Sequence, residues 1–189
     1  RVTIVGAGFS GLLSALHLLR HPGVEVALVE KGPRFGTGAA YSTHNPDHLL
    51  NVRLGNMSAF PDDPDHLKAW LYDRGGLERT EAFITRGLYG EYLRDLLERL
   101  ITAEGTGPRL QVLRGEVTDL VRANDWHAAV EGYGVVQSDA VVLALGNIEP
   151  HTPPIFLPLE ESGLYVGDPW RATAAVPGSA NSILLLGTG

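Results

Sequence analysis

The sequence of 189 residues predicts an α/β protein with a parallel central sheet. Three observations lead to this fold class. The apolar run VTIV at 2–5 leads into a glycine-rich turn, GAGFSG at 6–11. A largely apolar helix-like segment at 12–20 and a second strand-like run at 24–30 then complete a β-turn-α-β unit. Finally, AVVLAL at 140–145 is uninterrupted apolar sequence, as in a central strand of a parallel sheet.

Composition excludes several classes of protein. The net charge of −7 and the lack of a Lys/Arg run argue against a nucleic-acid-binding surface. With no cysteine, the chain has no disulfide, no Cys-based zinc site and no thiol nucleophile. No apolar stretch approaches the length of a membrane span, and we expect no signal peptide, because the first residues already match a strand. We therefore expect a cytoplasmic protein that acts on a small molecule, without a nucleic-acid or membrane partner; the oligomeric state stays open.

The glycine-rich turn has the spacing Gly6-x-Gly8-x-x-Gly11 and lies between a predicted strand and a predicted helix. This context, with Glu30 at the end of the next strand, is typical of a Rossmann-like dinucleotide site. Gly6 permits the tight turn, Gly8 lets a pyrophosphate approach the backbone, and Gly11 lets the helix pack closely. The helix N-terminus would hold the phosphates, and Glu30 would accept hydrogen bonds from ribose hydroxyls.

A carboxylate at position 30 argues against a 2′-phosphate at this site, so the nucleotide is FAD or NAD, and the motif alone does not choose. Two observations favour FAD. The segment after Glu30 departs from a simple βαβ repeat, and a second apolar run ends in Gly187-x-Gly189. We expect residues 182–189 to begin a second, truncated NAD(P)-binding motif, so that the chain is the N-terminal part of a larger enzyme with two nucleotide sites.

The predicted organisation is an FAD-binding Rossmann-like domain over 1–150, a connector over 151–181 and the truncated second motif. Within the domain we expect a helical insertion over about 60–105, with amphipathic helices at 62–76 and 87–105. Short strands around Gly115 and beyond form the expected small antiparallel β element.

Longer stretches resemble a known family. VEKGPRFGTGAAYST, HLLNVRLGNMSAFPDDPDHLKAWL, RGLYGEYL and VVLALGN are similar to FAD/NAD(P)-binding proteins related to flavin-dependent N-hydroxylating and Baeyer–Villiger-type monooxygenases. Arg53 stands where this family has proline after LLNV. The resemblance implies a flavoprotein with two dinucleotide-binding domains, using FAD and an NAD(P)H reductant.

The resemblance also implies a set of cofactor-binding residues. The glycine turn would contact the FAD pyrophosphate, the end of the second strand the adenosine ribose, and the backbone after Gly115 the adenine. The LLNV segment would lie along the isoalloxazine, and the turn after the last apolar run would return to the flavin. The residues are Gly6, Gly8, Phe9, Ser10, Gly11, Glu30, Lys31, Arg34, Asn51, Met57, Ser58, Val117, Gly146 and Asn147.

The expected function is an FAD-dependent NAD(P)H oxidoreductase, with monooxygenation of a small molecule as the finer expectation from the resemblance. No catalytic side chain is predicted, because the flavin supplies the redox chemistry. The histidine pairs His17/His21 and His44/His48 lack a third ligand, so no metal site is predicted. Two alternatives remain: an NAD-dependent dehydrogenase without flavin, and a non-catalytic FAD-binding or sensing module.

Overall fold

The computed structural model describes residues 1–75, 82–104, 107–148, 151–160, 162–168 and 182–185. These fall into two compact units, Arg1–Gly146 and Asn147–Gly189, each of which is considered by itself. The strands of the first unit are β1 (Val2–Val5), β2 (Val26–Glu30), β3 (Leu110–Arg114), β4 (Val117–Arg122), β5 (Trp126–Val130), β6 (Gly134–Ser138) and β7 (Ala140–Leu143). Its helices are α1 (Phe9–Leu19), α2 (His66–Asp73) and α3 (Arg86–Thr102), with short 3₁₀ turns at Leu54–Asn56 and Gly107–Arg109.

Four strands form a parallel sheet in the order β3-β2-β1-β7. Its two faces are covered by different layers. Ile4 and Leu28 belong to the main apolar core with the leucines of the three helices. Ala27 and Val29, which alternate with them, pack with residues of the antiparallel sheet β4-β5-β6. Burial of both faces explains why β2 is apolar until Glu30.

The predicted fold class is confirmed: a parallel sheet, a helical insertion and a small antiparallel sheet are all present. The position of the last strand differs from the prediction. Within the described residues, β7 pairs only with β1 and lies at the edge of the sheet. Leu143 is therefore 61% exposed, although its sequence resembles that of a central strand. An apolar run indicates that a strand is buried, but it does not indicate whether the strand is central or at the edge of the sheet.

The helical insertion packs through aromatic and leucine side chains. Tyr89, Tyr92 and Leu93 of α3 are buried, as are Leu67 and Trp70 of α2. These side chains recur at i, i+3 and i+4, which places them on one face of each helix. Among the described helices, none has the length and apolar composition that a membrane crossing requires.

The described part of the second unit contains a 3₁₀ turn at Pro154–Phe156 and the short helix α4 (Leu157–Glu160). The rings of Phe156 and Tyr165 stack with their centroids 5.4 Å apart. The predicted second glycine motif, Gly187-x-Gly189, lies outside the described residues, as does much of the connector predicted over 151–181.

Candidate functional site

The glycine turn joins β1 to α1 at the carboxyl edge of the parallel sheet. Gly6 has φ +96°, and a Cβ there would lie 2.1 Å from the carbonyl oxygen of Ala144. A Cβ on Gly11 would lie 1.8 Å from the carbonyl oxygen of Gly6. The fold itself therefore requires glycine at both positions, because a Cβ atom would clash with these carbonyl oxygens.

Gly8 differs from these two glycines. Its φ of −70° is accessible to any residue, and a Cβ would meet the Cα of Gly38 at 3.4 Å, an ordinary contact. The fold therefore does not demand glycine at this position. Because the fold does not require glycine here, the absence of a side chain at Gly8 is explained by a ligand that approaches the backbone.

The first turn of α1 is left without a side-chain cap. Gly8 is the N-cap residue and makes no side-chain capping hydrogen bond, while the first turn carries no acidic residue. Ser10 is exposed at this end of the helix. The N–H groups of the first turn and the positive end of the helix dipole are thus available for an anion such as a phosphate.

Glu30 ties the turn to the end of β2. Its Oε2 accepts a hydrogen bond from the Ala7 N–H at 2.8 Å, and its Oε1 accepts one from the Gly32 N–H at 2.8 Å. The half-buried carboxylate offers about four lone-pair positions, so acceptor capacity remains for ribose hydroxyls. Glu30 thus holds the shape of the turn, a role that the sequence motif did not indicate.

The start of β4 lies beside the same edge. The backbone carbonyl of Glu30 accepts a hydrogen bond from the Gly115 N–H at 3.0 Å, and Lys31 forms an exposed ion pair with Glu116 at 3.3 Å. Val117, which follows, is half-buried against the core of the antiparallel sheet. The structure therefore brings together the turn, Glu30, Lys31 and the strand predicted to meet the adenine.

A further segment of the site was missed by sequence reasoning. The N–H of Gly36 donates to the carbonyl oxygen of Ala7 at 2.6 Å, which places residues 36–38 against the glycine turn. Gly36 and Gly38 have φ of +89° and +59°. Thr37 is 1% exposed, and within the described part of the chain its hydroxyl has no hydrogen-bond partner. The available signal was the second Gly-x-Gly shortly after Glu30.

Arg34 and Phe9 are oriented by the continuation of this segment. A guanidinium N–H of Arg34 donates to the carbonyl oxygen of Ser42 at 3.1 Å. The rings of Phe9 and Tyr41 meet edge to face at 5.4 Å. Burial raises the pKa of Tyr41, while the positive charge of Arg86 opposes this shift. The 34–42 loop is therefore held by one hydrogen bond within itself and by ring packing against Phe9 of the glycine turn.

The structure does not bring Met57 and Ser58 to the glycine turn. The Ser58 hydroxyl donates to the carbonyl oxygen of Asp63 at 2.6 Å, and the next residue, Ala59, contacts the His17 ring through its carbonyl oxygen at 2.9 Å. His17 lies about 12 Å along α1 from Phe9 at 1.5 Å per residue. Met57 is half-buried and packs against the main core. These contacts are structural, and contact of either residue with a flavin stays a prediction.

Three other predicted residues lie outside the close-packed part of the site. Asn51 is exposed on the loop before the first 3₁₀ turn. Gly146 has φ +72° and ends the first unit in an exposed position. Asn147 opens the second unit, so its place relative to the glycine turn is not described. In the described part of the chain, no group of three or more His, Asp or Glu side chains is arranged to hold a metal ion.

Comparison with solved structures shows the same fold in flavin monooxygenases. Cyclohexanone monooxygenase in its closed form has a TM-score of 0.57 at 24% identity, over 81% of this chain and 27% of that chain. The enzyme from Rhodococcus sp. Phi1 bound to NADP+ has a TM-score of 0.59 at 23% identity, over 81% and 27% of the two chains. Oxidised steroid monooxygenase bound to NADP has a TM-score of 0.57 at 22% identity with the same coverage. The present chain thus spans about a quarter of the length of these structures.

Comparison with curated proteins found no match. A family described as FAD-NAD(P)-binding, in contrast, matches residues 3–148, which include the glycine turn and all of the parallel sheet except Val2. This match agrees with the cofactors expected from the sequence, FAD and NAD(P). The chain belongs to the FAD-NAD(P)-binding family.

Proposed function

We propose that this chain is the FAD-binding part of an NAD(P)H-dependent flavin oxidoreductase, and that its specific reaction is monooxygenation of a small molecule. The observation that carries the proposal is the uncapped N-terminus of α1 beside Gly8, with Glu30 fixed next to it by two backbone N–H groups. The fold that it shares with cyclohexanone and steroid monooxygenases supports the finer assignment.

The residues present fit FAD. The FAD pyrophosphate would lie over Gly8 at the first turn of α1, where Ser10 is exposed and no side chain competes for the N–H groups. The adenosine ribose would bind the remaining lone pairs of Glu30, and the adenine would lie towards Val117. The flavin, when bound, supplies the redox chemistry by accepting a hydride and passing electrons to an acceptor. The protein then orients the cofactor and excludes water from it.

The nicotinamide reductant belongs to the same proposal. Among the described residues of the first unit, one glycine turn has a matched carboxylate, and we assign that turn to FAD. NAD(P)H would then bind at the second motif expected from residue 182 onward. We also propose a cytoplasmic location and a small-molecule substrate. The net charge of −7 and the absence of a basic run argue against a nucleic-acid partner.

The test is an absorbance scan of the purified full-length protein, before and after anaerobic addition of NADPH. We expect a flavin spectrum that NADPH bleaches and oxygen restores. A colourless protein that binds NAD would favour a dehydrogenase, whereas bound FAD that NADPH fails to bleach would favour a sensing module. A colourless preparation that also takes up no added FAD would contradict the proposal.

The finer assignment needs a product measurement. Oxygen consumption by the NADPH-reduced protein should yield an oxygenated product when a ketone or amine is supplied. Stoichiometric hydrogen peroxide with every substrate tested would instead indicate an oxidase or a reductase that passes its electrons elsewhere.

A further inference from the structure

A continuous series of aromatic rings runs from the glycine turn to the far side of the helical insertion. Phe9 meets Tyr41 at 5.4 Å between ring centroids, and Tyr41 meets Tyr89 at 4.8 Å. Tyr89 meets Tyr92 at 5.7 Å, and Tyr92 meets Trp70 at 5.4 Å. All four contacts lie within the range of direct aromatic packing. We call these five residues the aromatic series.

Two members of the series have a base beside the proton that oxidation would release. The Tyr92 hydroxyl accepts a hydrogen bond from the Ala59 N–H at 3.2 Å and lies 2.8 Å from Nδ1 of His66, which accepts the phenolic proton in the Nε2–H tautomer. At the end of the series, Nε1–H of Trp70 donates to Oδ2 of Asp95 at 2.9 Å. Phenol and indole lose an electron far more readily when the proton can leave at the same time.

The surroundings set the resting protonation state of both pairs. Burial raises the pKa of Tyr92, so the phenol holds its proton at neutral pH and can release it only to a direct partner. Burial also opposes ionisation of Asp95, but hydrogen bonding from Trp70 and the charges of Arg99 and Arg74 lower the pKa of Asp95. Asp95 is therefore a carboxylate at neutral pH, with room for the indole proton.

The series also connects the interior to the surface. Tyr89 and Tyr92 are at most 1% exposed, and Trp70 is 4% exposed. The guanidinium of Arg74 covers the Trp70 ring at 4.1 Å, and its side chain is 47% exposed. An electron can therefore enter at Trp70 from a solution reductant and reach the glycine turn through rings in contact.

We propose that the aromatic series is a relay that moves single electrons from the protein surface towards the cofactor site. It would discharge superoxide, a one-electron oxidant that arises when reduced flavin meets oxygen, and it thus rests on the proposed function. Superoxide at the glycine-turn end takes one electron from the series and two protons from solvent, and becomes hydrogen peroxide. The electron vacancy passes through Tyr41 and Tyr89 to Tyr92, whose phenolic proton moves to His66. Trp70 then gives one electron to the tyrosyl radical, which recovers its proton from His66.

The Trp70 indole loses its Nε1 proton to Asp95 in the same step. The net result is one electron moved from Trp70 towards the cofactor site and one neutral radical left at Trp70. A solution thiol restores the indole by supplying one electron while Asp95 returns the proton. The thiol releases its own proton to solvent, and two thiyl radicals pair as a disulfide.

Blue-light excitation of the FAD-loaded full-length protein tests the relay without substrate. Photoexcited oxidised flavin takes one electron from a neighbouring donor, and transient absorption with electron paramagnetic resonance identifies the radical formed. We expect a neutral tryptophan radical in the wild type. Trp70→Phe should lose this radical and leave a tyrosyl radical, whereas Tyr92→Phe should lose both.

Matched controls come from the antiparallel sheet. Trp126 and Tyr133 lie outside the aromatic series, so Trp126→Phe and Tyr133→Phe should leave the radical signals unchanged. Circular dichroism and FAD content verify that each variant is folded. If Tyr92→Phe does not fold, Trp70→Phe alone decides.

Failure of the relay and failure of the proposed function are distinguishable. An FAD-loaded wild type without either radical, or with radicals that Trp70→Phe does not alter, overturns the relay and leaves the flavoprotein assignment intact. A protein that takes up no FAD overturns the proposed function. In that case a photogenerated ruthenium(III) tris-bipyridine oxidant replaces the flavin, and the same pattern of variants supports or overturns the relay.

Discussion

Helices α1 and α3 pack against each other in the same unit, yet their first turns differ. Helix α3 is capped by its own chain, since the Thr85 hydroxyl accepts a hydrogen bond from the Leu88 N–H at 3.1 Å. Helix α1 begins after Gly8 with no side-chain cap. A side-chain cap is worth about 1 kcal/mol, so an uncapped turn forgoes stability that the sequence could have supplied.

The difference teaches where a ligand belongs. The lack of a cap alone does not mark a ligand site, because α2 also begins without a side-chain capping hydrogen bond at Asp65. Helix α1 differs in having glycine as its N-cap residue, so that its N–H groups stay available to a phosphate. Glu30 strengthens this reading, because it fixes the backbone of the α1 turn from outside the helix and leaves the first turn open. We therefore expect changes at the α1 turn to affect FAD binding and changes at the α3 cap to affect stability alone.

The largest expected effect is that of Gly11→Ala. The new Cβ would lie 1.8 Å from the carbonyl oxygen of Gly6, so either the strand or the helix must move. Such overpacking against backbone should cost at least about 3 kcal/mol of unfolding free energy and abolish FAD binding. Urea unfolding and FAD content measure both. Gly55→Ala is the control, because its Cβ meets only the flexible end of Lys68 at 3.7 Å; equal stability of the two variants would contradict the packing of the turn.

Glu30→Gln should have the next largest effect. An amide cannot accept hydrogen bonds from Ala7 and Gly32 with both of its terminal atoms, so one buried N–H loses its partner. The expected loss is about 1–3 kcal/mol of unfolding free energy, together with weaker FAD binding. Thermal unfolding with and without FAD measures the two effects. Glu116→Gln, which changes an exposed carboxylate nearby, should alter neither quantity. If Glu30→Gln retains the stability and the FAD affinity of the wild type, the role assigned to Glu30 is contradicted.

Thr85→Ala sharpens the comparison from the other side. Loss of the cap should lower the unfolding free energy by about 1 kcal/mol, while FAD affinity stays at the wild-type value. Thr85→Ser, which retains the hydroxyl, should restore the stability. A marked loss of FAD binding in the stable Thr85→Ser variant would indicate that the α3 terminus also contacts the cofactor, and the contrast between the two helices would then fail.

The smallest expected effect is at the C-terminal end of α1, where an ion pair forms between two side chains of the protein. Arg20, the C-cap residue, forms a two-pronged ion pair with Asp62, and this hydrogen bonding lowers the pKa of Asp62 to about 2. A lowered pKa means that the pair contributes stability above about pH 4, and that this contribution is lost as the pH falls through 2. A carboxyl-carbon NMR titration should give a midpoint near 2 for Asp62, which Arg20→Gln should return towards the ordinary value near 4. A wild-type midpoint near 4 would contradict the ion pair.

Local sequence patterns predicted the part of the site that is built from adjacent residues. Strand β1, the glycine turn and Glu30 follow from apolar runs, glycine spacing and one carboxylate at a fixed distance. The contact of residues 36–38 with the turn could not be predicted in this way, because it joins two segments that are separated along the chain. Periodicity of apolar residues within a segment does not indicate which other segment it contacts. The same reason explains why the structural contacts of Ser58 and the edge position of β7 were missed.

The central claim is that the uncapped α1 turn binds FAD. The most direct test is a calorimetric titration with FAD that compares Gly8→Ala with the wild type. Gly8 has an ordinary φ, and a Cβ there makes only a 3.4 Å contact with Gly38, so the variant should fold with nearly unchanged stability. The added methyl group would occupy the backbone approach that the pyrophosphate needs, so FAD affinity should fall by a factor of at least about ten, or 1.4 kcal/mol. Wild-type FAD affinity in a folded Gly8→Ala protein would contradict the claim.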